Sequence, residues 1–349
     1  MAVTPRVLFL AVRMGPGFGV SVVVHEVARR LIARGIPAMV GCVRAEGTFA
    51  DVPVRRVRPD AAAVQRIARR FGATHVVAHT SPYFELLPEL QGLQTWVWEH
   101  GDPDPAFFPA PADRAAREAQ KAHKRSAVYP AVDGIIAISR FIRAEIGRPD
   151  AHVIPNGWEH VLADQATAPD APVSRTGTST LKLGGLMRLG PGEGLYKGAE
   201  AYVALARRMR ESGLDAELGL LGRGRARDAR PFEAEGIRVI RNASDAERAR
   251  FLAGLDVFVS MSLWEGCNLP LLEAQALGTP ALALDTGAHP ETCAHLCASP
   301  ADMLRLVRIW QRDRARLAEA GALARRFVRG GLGWESTAGR FRALLTRST

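Results

Sequence analysis

No apolar run in the 349-residue chain approaches the length that crosses a bilayer. The amino-terminal apolar stretch, residues 7–12, is too short for a signal-peptide core and runs into glycine-rich sequence, not a cleavage site. A spanning segment and a secretory leader are therefore not expected, and a cytoplasmic location is. Cysteine is scarce: Cys42, Cys267, Cys293 and Cys297. None forms a Cys-x-x-Cys pair, and no histidine pattern completes a metal site around Cys293 and Cys297. Four reduced thiols and no bound metal are the expectation. Signatures of zinc fingers and of RRM or KH domains are missing too, as are internal repeats of solenoid length.

What is present is a chain long enough for two domains with sizeable cores. It carries 46 Lys+Arg against 36 Asp+Glu, a net charge of +10. Arginine supplies nearly all of the positive charge, with acids interleaved. A phosphate-bearing substrate and weak association with an anionic membrane surface account for this balance as well as nucleic acid would. With no nucleic-acid signature, no nucleic-acid partner is expected, and a peripheral position at the inner membrane face is. Residues 112–127 read as a helix rich in Arg, Lys and Ala with a solvated face; it lacks the large apolar face that interfacial binding needs.

The most informative stretch is 264–291. Before it, residues 256–260 read as a buried strand. A loop follows, then Pro270 at a first helical position, a short apolar helix, Gly278 as its stop and a second apolar strand at 281–284. Strand, loop, helix and strand make one unit of a parallel sheet. Glu265 lies in the loop and Glu273 in the first helical turns. Between them, the backbone N–H groups of Gly266, Cys267, Asn268 and Leu269 stand at the positive end of a helix, a ready anion site. Amides suit a phosphate, and carboxylates suit sugar hydroxyls.

The Glu-x7-Glu spacing, with Glu-Ala-x-Ala-x-Gly-x-Pro from Glu273 to Pro280, resembles the retaining glycosyltransferases of family 4, and the resemblance extends over nearly the whole chain. It implies an α/β protein of the GT-B fold: two Rossmann-like doubly wound domains facing a central cleft, with the C-terminal helix crossing back to the first domain. The boundaries are 1–165 for the acceptor-side domain, 166–180 for the linker, 181–330 for the nucleotide-sugar domain and 331–349 for the returning helix. Residues 163–180 fit a linker, being poor in large apolar residues and rich in Ala, Pro, Thr and Ser.

The rest of the chain carries matching features. A strand over 6–13, a glycine loop and a helix at 25–35 open a doubly wound domain. The resemblance places Gly17 and Gly19 of that loop toward the donor's phosphates and the acceptor. A strand over 95–99 ends at His100, where open α/β sheets bind ligands; the resemblance makes His100 a polar contact to the transferred sugar or phosphate, with Glu99 and Asp102 beside it. The second domain opens with a strand over 181–187, then Arg188, a Gly-rich loop and Lys197. An arginine fork and a mobile lysine can hold a diphosphate as it leaves. The family carries this pair in this order, though the loop between them is longer and richer in glycine here. Arg241 follows a strand whose turn, in the family, meets the nucleobase. Trp334 starts the last helix and reads as a packing residue.

The implied function is transfer of a hexose-type sugar from a nucleoside diphosphate sugar, UDP favoured over GDP, to a glycan, a lipid-linked or a small-molecule acceptor. His100, Arg188, Lys197 and Glu265 are the expected catalytic residues, and Glu273 is the expected ligand of the ribose diol. Retention without a metal or other cofactor is implied. Three readings compete: a GT-B epimerase or phosphorylase, a noncatalytic partner subunit, and a basic nucleic-acid-binding protein. Oligomeric state and acceptor have no signature.

Overall fold

The computed structural model describes residues 4–15, 17–47, 51–162, 180–190 and 192–346. The expected linker, 166–180, lies outside the described residues except for its last position, 180. The chain divides into two compact units. One holds residues 1–102, 116–160 and 332–349; the other holds 103–115 and 161–331.

The first unit is built on seven parallel strands: Val7–Met14 (β1), Ala38–Ala45 (β2), Val54–Arg56 (β3), His75–Ala78 (β4), Gln94–Glu99 (β5), Gly134–Ala137 (β6) and His152–Val153 (β7). Their order is β3-β2-β1-β4-β5-β6-β7. β1 and β4 read as near-continuous apolar runs because helices cover both faces of such a sheet. The short edge strands β3 and β7 lack that signal, and sequence reading missed them.

The second unit holds six parallel strands: Leu181–Arg188 (β8), Ala216–Arg223 (β9), Arg238–Arg241 (β10), Val257–Ser260 (β11), Ala281–Leu284 (β12) and His295–Cys297 (β13). Their order, β10-β9-β8-β11-β12-β13, reverses direction between β8 and β11. Its core gathers Leu183, Tyr202, Leu220, Val257 and Leu282 from the strands and their covering helices. Both sheets are doubly wound, and ligands of such sheets bind at the carboxyl ends of the strands beside the reversal. That rule selects the segments after β1 and β4 in the first unit, and after β8 and β11 in the second.

The last helix, Trp334–Leu345, packs in the first unit against the helix Gly19–Ala33. Trp334 is fully buried, as expected of a packing residue. Its backbone N–H donates to Glu159 Oε2 at 2.8 Å, and its indole N–H donates to His160 Nδ1 at 3.0 Å. Arg30 adds an ion pair to Glu335 at 2.8 Å. Arg29 and Arg30 also pair with Glu26; burial opposes the Glu26 charge, but hydrogen bonds from His25 and these arginines prevail and hold its pKa at about 2. Gly157 is what lets the helix start so close. A Cβ there would lie 2.1 Å from the Trp334 nitrogen and 2.6 Å from its ring. Gly157→Ala should therefore cost about 2 kcal/mol of stability, the scale of overpacking. Denaturant unfolding will measure it, and an unchanged midpoint would contradict this packing.

Candidate active site

β8 ends at Arg188, whose guanidinium Nη1 lies 2.6 Å from Glu193 Oε1. The side chain is 44% exposed, open to a ligand. Desolvation opposes its charge; Glu193 first and Glu265 further down outweigh that and raise its pKa above the ordinary arginine value. Glu193 begins a one-turn helix, Glu193–Tyr196, after which Lys197 and Gly198 lead into the helix Ala199–Glu211. Gly198 takes a left-handed conformation, φ 71°, and a Cβ on it would sit 1.9 Å from the Met261 carbonyl oxygen. Glycine is thus required twice, by its backbone angle and by contact. This contact presses the segment after β8 against the loop after β11. Lys197 Nζ then lies 2.7 Å from Glu265 Oε2, both side chains largely buried.

The loop 261–268 is clamped from two sides. The Tyr196 carbonyl accepts from the N–H of Leu263 at 2.7 Å and of Trp264 at 3.3 Å. On the other side Ala288 N–H donates to the Glu265 carbonyl at 2.8 Å, and Thr286 Oγ1 donates to the Ser262 carbonyl at 2.6 Å. Gly287, φ 58°, allows the approach, since a Cβ would meet the Glu265 backbone at 2.7 Å. The helix that follows is Leu269–Ala276, so Pro270 is its second residue and not its first. Asn268 is the N-cap, accepting from Leu271 N–H at 3.3 Å. Its Nδ2 donates to Ser260 Oγ at 3.1 Å. His289, fully buried, lies 2.8 Å through Nδ1 from the Leu284 carbonyl and 3.3 Å through Nε2 from Ser260 Oγ. A carbonyl only accepts, so the His289 proton is on Nδ1 and Nε2 accepts from Ser260. The Asn268 side chain is consumed by this internal chain. What it and Gly266, Cys267 and Leu269 offer a ligand is backbone at a helix start, at the carboxyl end of β11.

Glu273 is fully buried, one helical turn further on. Arg248 Nη1, from the helix Asp245–Gly254, donates to its Oε1 at 2.8 Å. Arg241 ends the edge strand β10, two places from β8. Its side chain is exposed and makes no hydrogen bond or ion pair with Arg188, Lys197, Glu265 or Glu273. The structure thus joins Lys197 to Glu265 directly and leaves Arg241 apart.

In the first unit the segment after β1 is tied by Ser21 Oγ, which accepts from Gly15 N–H at 3.2 Å and donates to the Arg13 carbonyl at 3.0 Å. Gly17 is exposed with φ 71°, a left-handed turn. Gly19 is the first residue of the helix Gly19–Ala33, which starts six residues earlier than its sequence pattern suggested. His100 follows β5, and its Nε2 lies 3.0 Å from Nδ1 of His79, the residue after β4. Beside them Lys124 is buried against Glu99 Oε1, at 2.8 Å, and Asp102. Tyr129 O–H donates to Glu99 Oε2 at 2.9 Å. Burial opposes the Lys124 charge, and Glu99 and Asp102 outweigh it, so its pKa stands above the ordinary lysine value. A solvated face was expected here, and most of the helix Pro111–His123 has one. Lys124 departs from it because it continues, at helical spacing, the less exposed stripe of Arg114, Arg117 and Lys121, and meets Glu99 and Asp102 at the start of a π turn over Lys124–Val128.

Residues 18–160 match the family described as Glycosyltransferase Family 4, and residues 188–317 match Glycosyl transferases group 1. The chain belongs to these glycosyltransferases. Its two sheets are the paired Rossmann-like domains of the GT-B fold. Sucrose-phosphate synthase from Thermosynechococcus elongatus is similar over 99% of this chain and 100% of its own, with a TM-score of 0.78 at 16% identity. HepE of Anabaena, solved with UDP and glucose, is similar over 98% of this chain and 100% of its own, with a TM-score of 0.74 at 16% identity. An MMP alpha-(1->4)-mannosyltransferase of Mycolicibacterium hassiacum is 43% identical over 72 residues, which are 19% of this chain and 17% of that relative's length.

Several residues that hold the candidate site together carry no local sequence signal. Arg248 lies in a helix with other arginines, and His289 in a four-residue helix without periodicity. The Lys-Gly dipeptide at 197–198 could have flagged the close approach at Gly198. Among the described residues no group of three or more His, Cys, Asp or Glu could hold a metal ion, and no helix is long and apolar enough to cross a membrane.

Two predictions follow from these buried charges and rings. Arg248→Ala removes the cation beside a fully buried carboxylate and should cost about 3 kcal/mol, the scale for breaking a buried pair; a melting temperature equal to wild type would contradict it. His75, His79, His100, His289 and His295 all have pKa values pushed below 6.5, in each case chiefly by burial, and His100 to about 3. The unfolded chain therefore takes up protons near pH 6.5 that the folded chain refuses. Stability is full above that pH and declines as pH falls below it. Melting temperature should drop between pH 7 and pH 5, above the usual carboxylate range, and a rise over that window would contradict the assignment.

Proposed function

We propose that the chain transfers a hexose-type sugar from a nucleoside diphosphate sugar to a glycan, a lipid-linked or a small-molecule acceptor, with retention of anomeric configuration and without a metal ion. The observation that carries this reading is the Lys197–Glu265 pair, set beside the start of the helix Leu269–Ala276 where the second sheet reverses. Cleavage of the glycosidic bond builds positive charge on the sugar and negative charge on the diphosphate. Arg188, Lys197 and the amides at 266–269 supply donors for the diphosphate, each worth about 3 kcal/mol when preorganised. Glu265 is read as the contact to the transferred sugar, Glu273 as the ligand of the ribose diol, and His100 as a polar contact to sugar or phosphate.

Glu265 is already engaged by Lys197, and Glu273 is buried against Arg248. Neither is a free nucleophile for a double displacement. A front-face route, in which the leaving phosphate takes the acceptor's proton, fits this arrangement better. UDP as the nucleotide is supported by the UDP and UDP-glucose complexes of HepE. A cytoplasmic enzyme in weak contact with an anionic membrane face is consistent with the net charge of +10. Arg188→Ala should lower the turnover number about a hundredfold, and Glu273→Gln should raise the donor KM. Near-wild-type kinetics in both variants would refute the site assignment. NMR of the product should show the donor's anomeric configuration, and activity should survive EDTA; inversion or loss with the chelator would contradict the mechanism.

A further inference from the structure

His79 lies where ligands of the first sheet would gather, yet it is 1% exposed and set among aromatic rings. Its ring stacks on Trp98 with centroids 5.2 Å apart at 18°, and it meets Phe9 at 5.7 Å. Phe341 of the last helix closes the same box, 5.2 Å from Trp98 and 6.0 Å from Phe9. One polar contact leaves this apolar box: Nδ1 of His79 lies 3.0 Å from Nε2 of His100. The other nitrogen, Nε2 of His79, is buried without a hydrogen-bond partner.

Two ring nitrogens 3.0 Å apart share one proton, and there are two ways to place it. If His100 donates, Nδ1 of His79 accepts and the His79 proton must sit on Nε2. That leaves a buried N–H with no acceptor, the rarest and costliest kind of orphan. If His79 donates from Nδ1, its Nε2 is a bare lone pair among aromatic rings, the lesser penalty. His100 Nε2 is then an acceptor, and the neutral ring must hold its own proton on Nδ1. Among the described residues, His100 makes no hydrogen bond through Nδ1, and the ring is only partly buried. Both rings are neutral at ordinary pH, His79 chiefly through burial and His100 through burial and then the Lys124 ammonium.

We propose that His79 is a positioning residue: by donating its Nδ1 proton to His100 Nε2, it fixes His100 as the Nδ1–H tautomer, which presents a hydrogen-bond donor to a ligand oxygen. A neutral donor holds a sugar hydroxyl or phosphate oxygen at a set angle without adding charge that would trap the leaving diphosphate. The catalytic consequence rests on the proposed reading of His100 as a contact to the donor sugar or its phosphate; the tautomer does not.

The test separates the two. Long-range 1H–15N correlation spectra of the ligand-free, 15N-histidine-labelled protein report which ring nitrogen carries each proton. Both His79 and His100 should show protonated Nδ1 and bare Nε2. A protonated Nε2 on His100, or an imidazolium there at pH 7, would overturn the proposal. His79→Phe keeps the aromatic stack and removes the donor; it should mix the His100 tautomers and lower kcat about tenfold, the worth of one hydrogen bond, with little change in donor KM. His79→Asn, which keeps an N–H near the same place, should restore most of the loss. An unmixed His100 tautomer in a folded His79→Phe protein would also overturn the proposal. If instead the tautomer is as assigned but His100→Ala transfers sugar at the wild-type rate, the role given to His100 fails while the His79 assignment stands.

Discussion

A methyl group on Gly198 would lie 1.9 Å from the Met261 carbonyl oxygen, and most of the second unit's candidate site depends on that space being empty. The close approach joins the segment after β8 to the loop after β11, at the reversal of the sheet. With the two segments in contact, the Tyr196 carbonyl can hold Leu263 and Trp264, and Lys197 can reach Glu265. A lysine and a glutamate at this distance hold each other in place before any ligand arrives. Such preorganisation matters for catalysis because donors already in position need no reorganisation as charge develops.

The first unit solves a different problem with the same economy of backbone. Against the carboxyl ends of its strands lies a buried cation, Lys124, neutralised by Glu99 and Asp102, with a pair of neutral imidazoles beside it. A buried charge is tolerated only when paired and hydrogen-bonded. Glu99 meets that condition twice, through Lys124 and through the Tyr129 hydroxyl. Beneath them the last helix closes the aromatic box around His79 with Phe341. The returning helix therefore contributes to the support of His100 as well as to the core.

Where side chains repeat with a strong period or a backbone needs glycine, the sequence was readable. The buried strand expected at 256–260 is β11, the one at 281–284 is β12, and Gly278 does end the helix between them, with φ 85°. Glu265 and Glu273 stood out by spacing, and Arg188 and Lys197 by their place after a strand. Short edge strands did not stand out, because β3 and β7 are too brief to show alternation. Nor did partners distant in sequence. Arg248 meets Glu273 across 25 positions and His79 meets His100 across 21, and neither pair has a local signature. Lys124 was read as solvated because the helix around it is rich in charge; its burial depends on Glu99 and Asp102, which lie 25 and 22 positions away in the chain.

Calorimetric titration of UDP into the intact protein and into Lys197→Met tests the junction of β8 and β11 as a donor site most directly. The intact protein should bind UDP, and the variant should bind it about tenfold more weakly, as expected on losing one charge-assisted hydrogen bond to a phosphate. Failure of the intact protein to bind UDP, or equal affinity in both proteins, would contradict it.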